Sequence, residues 1–309
     1  MIVVFGSINV DLIARVARIP APGETLSGSS FVTAPGGKGA NQALAARRAG
    51  AHVALYGAVG CDSFAASALA NLDASGVRCD GVAARRGWTG IALINVADSG
   101  ENAITVIPGA NALARAAQVP DDALTPTTTL LLQLEVPHVE VERMAHRAHE
   151  RGARVILNAA PAAALAHALL RSLDVLLVNE HEAAMLATQL RLVREPVAFA
   201  DGMRTRFATT AVITLGARGA LTTADGQCLA ATPPAMTVVD TTGAGDALAG
   251  AFAAALDRNA SLPRALAEGV AAGALACTQH GAQAALPDAA AIRVHAGQVE
   301  SAIRYFSLS

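Results

Sequence analysis

The segment Asp240-Thr241-Thr242-Gly243-Ala244-Gly245-Asp246 places a carboxylate where a helical pattern begins, directly after two glycines. Glycines at a helix start let a ligand approach the backbone closely. The free N–H groups there, with the helix dipole behind them, form an anion site. Asp246 beside such a site is placed to accept a proton from a hydroxyl while the amides of Gly243, Ala244 and Gly245 stabilise developing negative charge. An aspartate at the same place also serves as an ordinary helix cap with no ligand, and the local sequence leaves both readings open.

A second glycine-rich run, Pro35-Gly36-Gly37-Lys38-Gly39-Ala40-Asn41-Gln42, also leads into a helical pattern. It is not a Walker A loop, because Gly39 follows the Gly-Lys pair where Ser or Thr is needed. Nor is it a dinucleotide fingerprint, since Gln42 stands where the third glycine belongs. Lys38 is the only lysine among 23 lysine and arginine residues, which suggests a place where a slim ammonium fits and a guanidinium does not. A third segment, Gly6-Ser7-Ile8-Asn9-Val10-Asp11, offers donors and acceptors suited to sugar hydroxyls, although an Asx-turn explains Asn9 and Asp11 equally well. Gln133-Leu134-Glu135, Asn179-Glu180-His181-Glu182 and Thr214-Leu215-Gly216-Ala217-Arg218-Gly219 each follow an apolar run.

Those apolar runs are the elements that must position the chemistry. Strands are expected at 2–5, 52–58, 130–134, 154–158, 174–178 and 211–215, and as a further strand-like stretch at 236–239. Their continuous hydrophobicity suits parallel strands buried on both faces. Helices are expected at 40–49, 63–75, 139–151, 180–188, 244–258, 263–278 and 288–305, with 159–170 as a further apolar helical stretch. Strand-then-helix repetition predicts a doubly wound α/β fold with a mostly parallel sheet flanked by helices. In such sheets the ligand crevice lies at the strands' carboxyl ends, where the segments at 6–11, 133–135, 179–182 and 214–219 begin. Two stretches, about 9–34 and 88–108, break the rhythm and read as short antiparallel β elements forming a small lid within one domain spanning 1–309.

Taken together, these residues resemble the ribokinase/PfkB carbohydrate kinase family over essentially the full chain. The run at 36–41 is similar to that family's first signature, and 240–246 to its second. The resemblance implies ATP-dependent phosphorylation of D-ribose at O5, with deoxyribose, another sugar or a nucleoside as the alternative substrate. It implies that Asn9, Asp11, Gly36, Gly37, Lys38, Asn41 and Glu135 bind the sugar and that Asp246 is the base. Asn179, Thr214, Gly216, Gly219 and Gly245 would contact ATP, and Glu182 would help position Mg²⁺. An activating K⁺ would be held by Asp240, Thr242, Ala276, Gln279 and Gly281. Ala285 stands where the family pattern has a serine hydroxyl for that ion, and Val270 where some relatives place an adenine-stacking histidine. A homodimer formed through the lid is also implied.

Composition narrows the field further. The net charge of -2 gives no electrostatic footprint for nucleic acid or an anionic membrane. Aromatic residues make up 3% of the chain, so few rings are available to stack on a nucleobase. The four cysteines have no Cys-x-x-Cys spacing, and scattered thiols fit a reducing cytoplasm. The start of the chain runs straight into a strand-like stretch, with no signal-peptide pattern.

Overall fold

In the computed structural model, which describes residues 1–308, the sequence divides into strands and helices in the expected alternation. The first half contains β1 (Ile2–Phe5), β2 (Asn9–Val16), β3 (Ser30–Gly36), α1 (Lys38–Arg48), β4 (Val53–Gly60), α2 (Phe64–Ala74), β5 (Arg78–Arg85), β6 (Gly90–Ala97), β7 (Asn102–Ile107), β8 (Thr129–Leu132) and α3 (His138–Glu150). The second contains β9 (Arg154–Asn158), α4 (His167–Arg171), β10 (Val175–Asn179), α5 (Glu180–Leu190), α6 (Pro196–Phe207), β11 (Thr210–Thr214), β12 (Ala220–Ala224), β13 (Gln227–Ala231), α7 (Ala244–Asp257), α8 (Leu262–Ala276), α9 (Ala289–Ser301) and β14 (Arg304–Ser307).

A 10-stranded sheet, in the order β14-β13-β12-β11-β10-β9-β8-β1-β4-β5, forms the middle layer. Strands β5 to β11 in that row pair in parallel, and β12, β13 and β14 extend it antiparallel. From β1 the chain builds outward through β4 and β5, then returns to β8 and builds the other way. The reversal between β1 and β8 is a switch point, where two diverging connections open a crevice at the strand ends. Alternation along β1 divides the core: Ile2 and Val4 face the layer containing α1, α7 and α8, while Val3 and Phe5 face the layer containing α3, α5 and α6. No helix among the described residues is long and apolar enough to cross a membrane.

The irregular stretches form a separate 4-stranded sheet, ordered β3-β2-β6-β7. Its central pair, β2 and β6, runs parallel, which corrects the expectation of purely antiparallel elements. The two segments come from separate excursions of the chain and enter the small sheet from the same side.

Other departures have local causes. The helix expected to run to 305 stops at Ser301, and Arg304–Ser307 adds β14 to the edge of β13. The stretch at 236–239 forms no strand: Val238 and Val239 are exposed, and the Val239 N–H donates to Cys277 O at 2.8 Å. Of the apolar stretch at 159–170, only the start of α4 is helical, because Pro161 interrupts the pattern. Helix α6 was not anticipated, although Glu195 at its N-cap followed by Pro196 at N1 is a helix-start signature. The β12–β13 hairpin turns at Asp225-Gly226, a turn dipeptide that also marks it.

Helices α1 and α7 pack closely enough that a Cβ on Gly250 would lie 2.5 Å from Ala45 Cβ and 2.7 Å from Gln42 O. Gly250→Ala should therefore lower the melting temperature by at least about 3 °C, since overpacking outweighs the gain of about 1 kcal/mol in helix propensity. A calorimetric scan checks this; a higher melting temperature would show that the two helices separate freely.

Candidate active site

Helix α7 begins at Gly243, whose φ of 77° lies in the left-handed region. A Cβ there would also lie 2.9 Å from Ala282 Cα, whereas at Gly245 a Cβ would meet nothing within 4 Å, so that side of the loop is open. Among the described residues no oxygen accepts from the amides of Gly243, Gly245 or Asp246, while the Ala244 N–H donates to Thr241 O at 3.2 Å. The free donors are therefore 243, 245 and 246, rather than the consecutive run 243–245. Asp246 lies in the first turn with its side chain buried. Asn41 Nδ2 donates to its Oδ2 at 2.9 Å, and Gln42 Nε2 donates to its Oδ1 at 2.8 Å.

The start of α1 is built just as tightly. Gly37 takes a φ of 89°, and a Cβ on it would lie 2.7 Å from the Asn9 amide nitrogen. Gly37 offers no side-chain cap, and Glu135 supplies one from across the sheet. Its Oε2 accepts from the Lys38 N–H at 3.0 Å and from Ser7 Oγ at 2.6 Å. Glu135 is thus an anchor for α1, with its other oxygen left over for a ligand. Asn9 is held by Asn111, whose Nδ2 donates to Asn9 Oδ1 at 2.7 Å and whose Oδ1 accepts from the Ile8 N–H at 2.9 Å. Asn111 lies in a short 3₁₀ turn after β7 and escaped the sequence reading, since nothing in its local pattern separates it from a loop asparagine.

Asp11, on β2, has a carboxylate that accepts no hydrogen bond among the described residues. Gly36 makes room for it: a Cβ there would lie 2.4 Å from both carboxylate oxygens. Burial, and then the charges of Glu135 and Asp246, push the Asp11 pKa up to about 6. Lys38 forms no ion pair among the described residues. Its ammonium pKa is raised by the charge of Asp246 against the opposing effect of burial, with help from Glu135 and Glu182.

On the other side of Gly245 runs a cleft of about 430 Å³ lined by Thr214, Gly216, Gly219, Val270 and Ala244. Its remaining wall includes Pro233 and Pro234, and Met236 and Val238 from the stretch expected to be a strand, so the sequence reading missed these contacts. Asn179 pairs in register with Thr214 but does not itself line the cleft. Asn179 and Glu182 form a capping box at the start of α5: Asn179 Oδ1 accepts from the Glu182 N–H at 2.8 Å, and Glu182 Oε2 accepts from the Asn179 N–H at 2.8 Å. Burial raises the Glu182 pKa against the pull of that N–H.

Behind the turn at 243–246, Asp240 Oδ1 accepts from the Thr242 N–H at 2.9 Å, and Oδ2 accepts from the Gly281 N–H at 2.9 Å. Burial works against the charge of Asp240, but these donors outweigh it and hold its pKa below the usual range. The carbonyls of Thr242, Ala276 and Gln279 receive no hydrogen bond among the described residues, and Ala285 is buried nearby without a hydroxyl.

A family model described as "pfkB family carbohydrate kinase" matches residues 1–289. The chain belongs to the pfkB family of carbohydrate kinases. A ribokinase of Haemophilus influenzae is 36% identical over 288 residues, covering 92% of this chain and 94% of that one. One from Lactococcus lactis is 35% identical over 301 residues, covering 96% and 97%. The crystal structure of a Thermotoga maritima ribokinase superposes with a TM-score of 0.88 at 30% identity, covering 95% of this chain and 98% of that one. An Arabidopsis thaliana ribokinase complexed with ribose and ATP does so with a TM-score of 0.86 at 30% identity, covering 96% and 98%.

In this pfkB-family kinase the raised pKa of Asp11 has a definite consequence. An acid whose folded pKa lies above its unfolded value costs stability once ionised, so stability falls as pH rises from about 4 through about 6. Asp11→Asn should melt above the parent at neutral pH, and the difference should vanish below the ordinary aspartate range. Differential scanning calorimetry at both pH values checks the pattern; no gain at neutral pH would mean that Asp11 is not strained by its neighbours.

Proposed function

We propose that this chain transfers the γ-phosphoryl group of ATP to O5 of D-ribose, giving D-ribose 5-phosphate and ADP. The observation that carries the reading is the placement of Asp246. Its carboxylate is fixed by Asn41 and Gln42 beside the free amides of Gly243 and Gly245, between a polar pocket and the cleft. The relatives named above, one of them holding ribose and ATP, support the choice of substrates.

The mechanism follows from that geometry. Asn9, Asp11 and the free oxygen of Glu135 hold the sugar hydroxyls, with Gly36 and Gly37 framing the pocket. Asp246 takes the proton from O5 as that oxygen attacks phosphorus in line. The N–H groups of 243, 245 and 246, backed by the α7 dipole, receive the charge on the equatorial oxygens. Lys38 adds a positive charge to a pocket otherwise lined by carboxylates. The adenosine portion occupies the cleft at Thr214, Gly216 and Gly219, with Val270 against the base.

Two ions fit this arrangement. Glu182 keeps one oxygen outside its capping box, which suits indirect contact with Mg²⁺, an ion usually held by one or two carboxylates plus phosphates. Mg²⁺ would supply charge neutralisation for the phosphates. Asp240 and the unbonded carbonyls of Thr242, Ala276 and Gln279, with the Gly281 carbonyl, form an all-oxygen set at the negative end of α8, which suits K⁺.

The four-stranded sheet acts as a lid over the sugar pocket and as the homodimer interface. Val32, Ile13, Ile94 and Ile104 pair across all four strands in one apolar row, and Val32 and Ile104 are exposed. The four free thiols suit a reducing compartment, the cytoplasm.

ADP release with Mg-ATP over a panel of free sugars and nucleosides tests the reading; ribose should exceed every other acceptor, and a better acceptor would move the specificity. Asp246→Asn should lower kcat by about 10²–10⁴-fold while ribose and ATP still bind calorimetrically. Loss of binding along with turnover would point to a structural role instead. Ala285→Ser should lower the K⁺ concentration for half-activation, and an unchanged value would remove Ala285 from the ion site.

A further inference from the structure

Asparagine and glutamine amides have a donor end and an acceptor end of nearly the same shape. Which end faces a carboxylate decides whether the contact is a hydrogen bond or a repulsion. At Asn41 and Gln42 the choice is enforced from behind, by residues from two different parts of the fold.

Gln283 is buried in the loop that follows α8. Its Nε2 donates to Asn41 Oδ1 at 3.1 Å, and its own Oε1 accepts from Asn71 Nδ2 on α2 at 3.1 Å. Arg48 on α1 secures the same loop, donating through Nη1 to Gln283 O at 3.0 Å and Leu286 O at 2.7 Å. Gln133, just after β8, donates through Nε2 to Gln42 Oε1 at 2.7 Å. With both acceptor ends occupied, and with Gln42 Nε2 also donating to Asn158 Oδ1 at 2.9 Å, Asn41 and Gln42 present N–H groups to Asp246. The carboxylate accepts from both, so the direction of the two chains is consistent from end to end.

Gln133 is held in this orientation at a cost. Its Oε1 is buried without a hydrogen-bond partner. It fits only because Gly6 lacks a side chain: a Cβ on Gly6 would lie 2.0 Å from that oxygen. Reversing the amide would set two oxygens against each other at Gln42.

We infer that Gln283 and Gln133 are positioning residues for the base, each occupying the amide oxygen of Asn41 or Gln42 and so directing an N–H onto Asp246. Neither touches the reacting atoms. This rests on the reading of Asp246 as the base, and the experiment separates the two ideas.

The experiment compares Gln283→Leu and Gln133→Met with the parent enzyme in steady-state kinetics with ribose and Mg-ATP, recording the melting temperature of each variant. Each should lower kcat at least about tenfold, the scale of one lost hydrogen bond to a charged group, with both KM values held within about twofold. In an Asn41→Ala background, Gln283→Leu should add less than about a twofold further loss, because its effect passes through Asn41. A kcat within twofold of the parent, a change confined to KM, or full multiplicative losses in the Asn41→Ala background would overturn the inference. Should Gln283→Leu fail to fold, Gln133→Met decides by the same kinetic criteria. Asp246→Asn, assayed alongside, tests the base itself: turnover retained there removes the base, whereas a silent Asp246→Asn with unaffected glutamine variants removes only the positioning role.

Discussion

Two neutral amide donors on one helix grip a carboxylate at the start of another, and much of the surrounding structure keeps that grip in register. Asn41 and Gln42 lie in the first turn or so of α1, and Asp246 in the first turn of α7. Their alignment requires two helix starts to meet at one place. The close approach at Gly250 brings the helices together, and Glu135 ties the first residue of α1 to the end of β1 through Ser7. The parallel sheet supplies the frame, because the connections leaving the paired strands β1 and β8 diverge at the point where the crevice is needed.

The charges in the pocket are unbalanced by design of the fold rather than by accident of the surface. Glu135 and Asp246 act on Asp11, and together with Glu182 they act on one ammonium, that of Lys38. A carboxylate with no hydrogen-bond donor and like charges nearby is an expensive thing to bury. Asp11 is such a group, and in the proposed function the sugar hydroxyls would supply the donors it lacks. Strain of this kind is what a polar pocket poised for a polyhydroxylated ligand requires.

Much of the fold could be read from the sequence because parallel strands buried on both faces are nearly pure hydrophobic runs, as in Ile2–Phe5 and Arg154–Asn158. The glycine loops were equally plain, since steric contacts leave no alternative to glycine at Gly37 and Gly243. What the sequence hid was decided by distant partners. Arg304–Ser307 became a strand because β13 offered an edge, and Met236 and Val238 line the cleft while Cys277, just after α8, takes the Val239 amide. Asn111, Gln133 and Gln283 act through side-chain hydrogen bonds to residues 91 to 242 positions away, which no local pattern records.

The solitary lysine has one more consequence, for chemical handling. Every other basic side chain but histidine is arginine, so the chain carries a single side-chain amine. The amine of Met1 is paired with Asp257 Oδ1 at 2.9 Å. An acylating or crosslinking reagent aimed at lysines therefore has one side-chain address, inside the pocket between α1 and the carboxylates. Conjugation through lysine would tether the molecule by its own working centre. The same scarcity limits amine labelling to two addresses, Lys38 and the Met1 amine, and ligands that fill the pocket would compete with the label at the first.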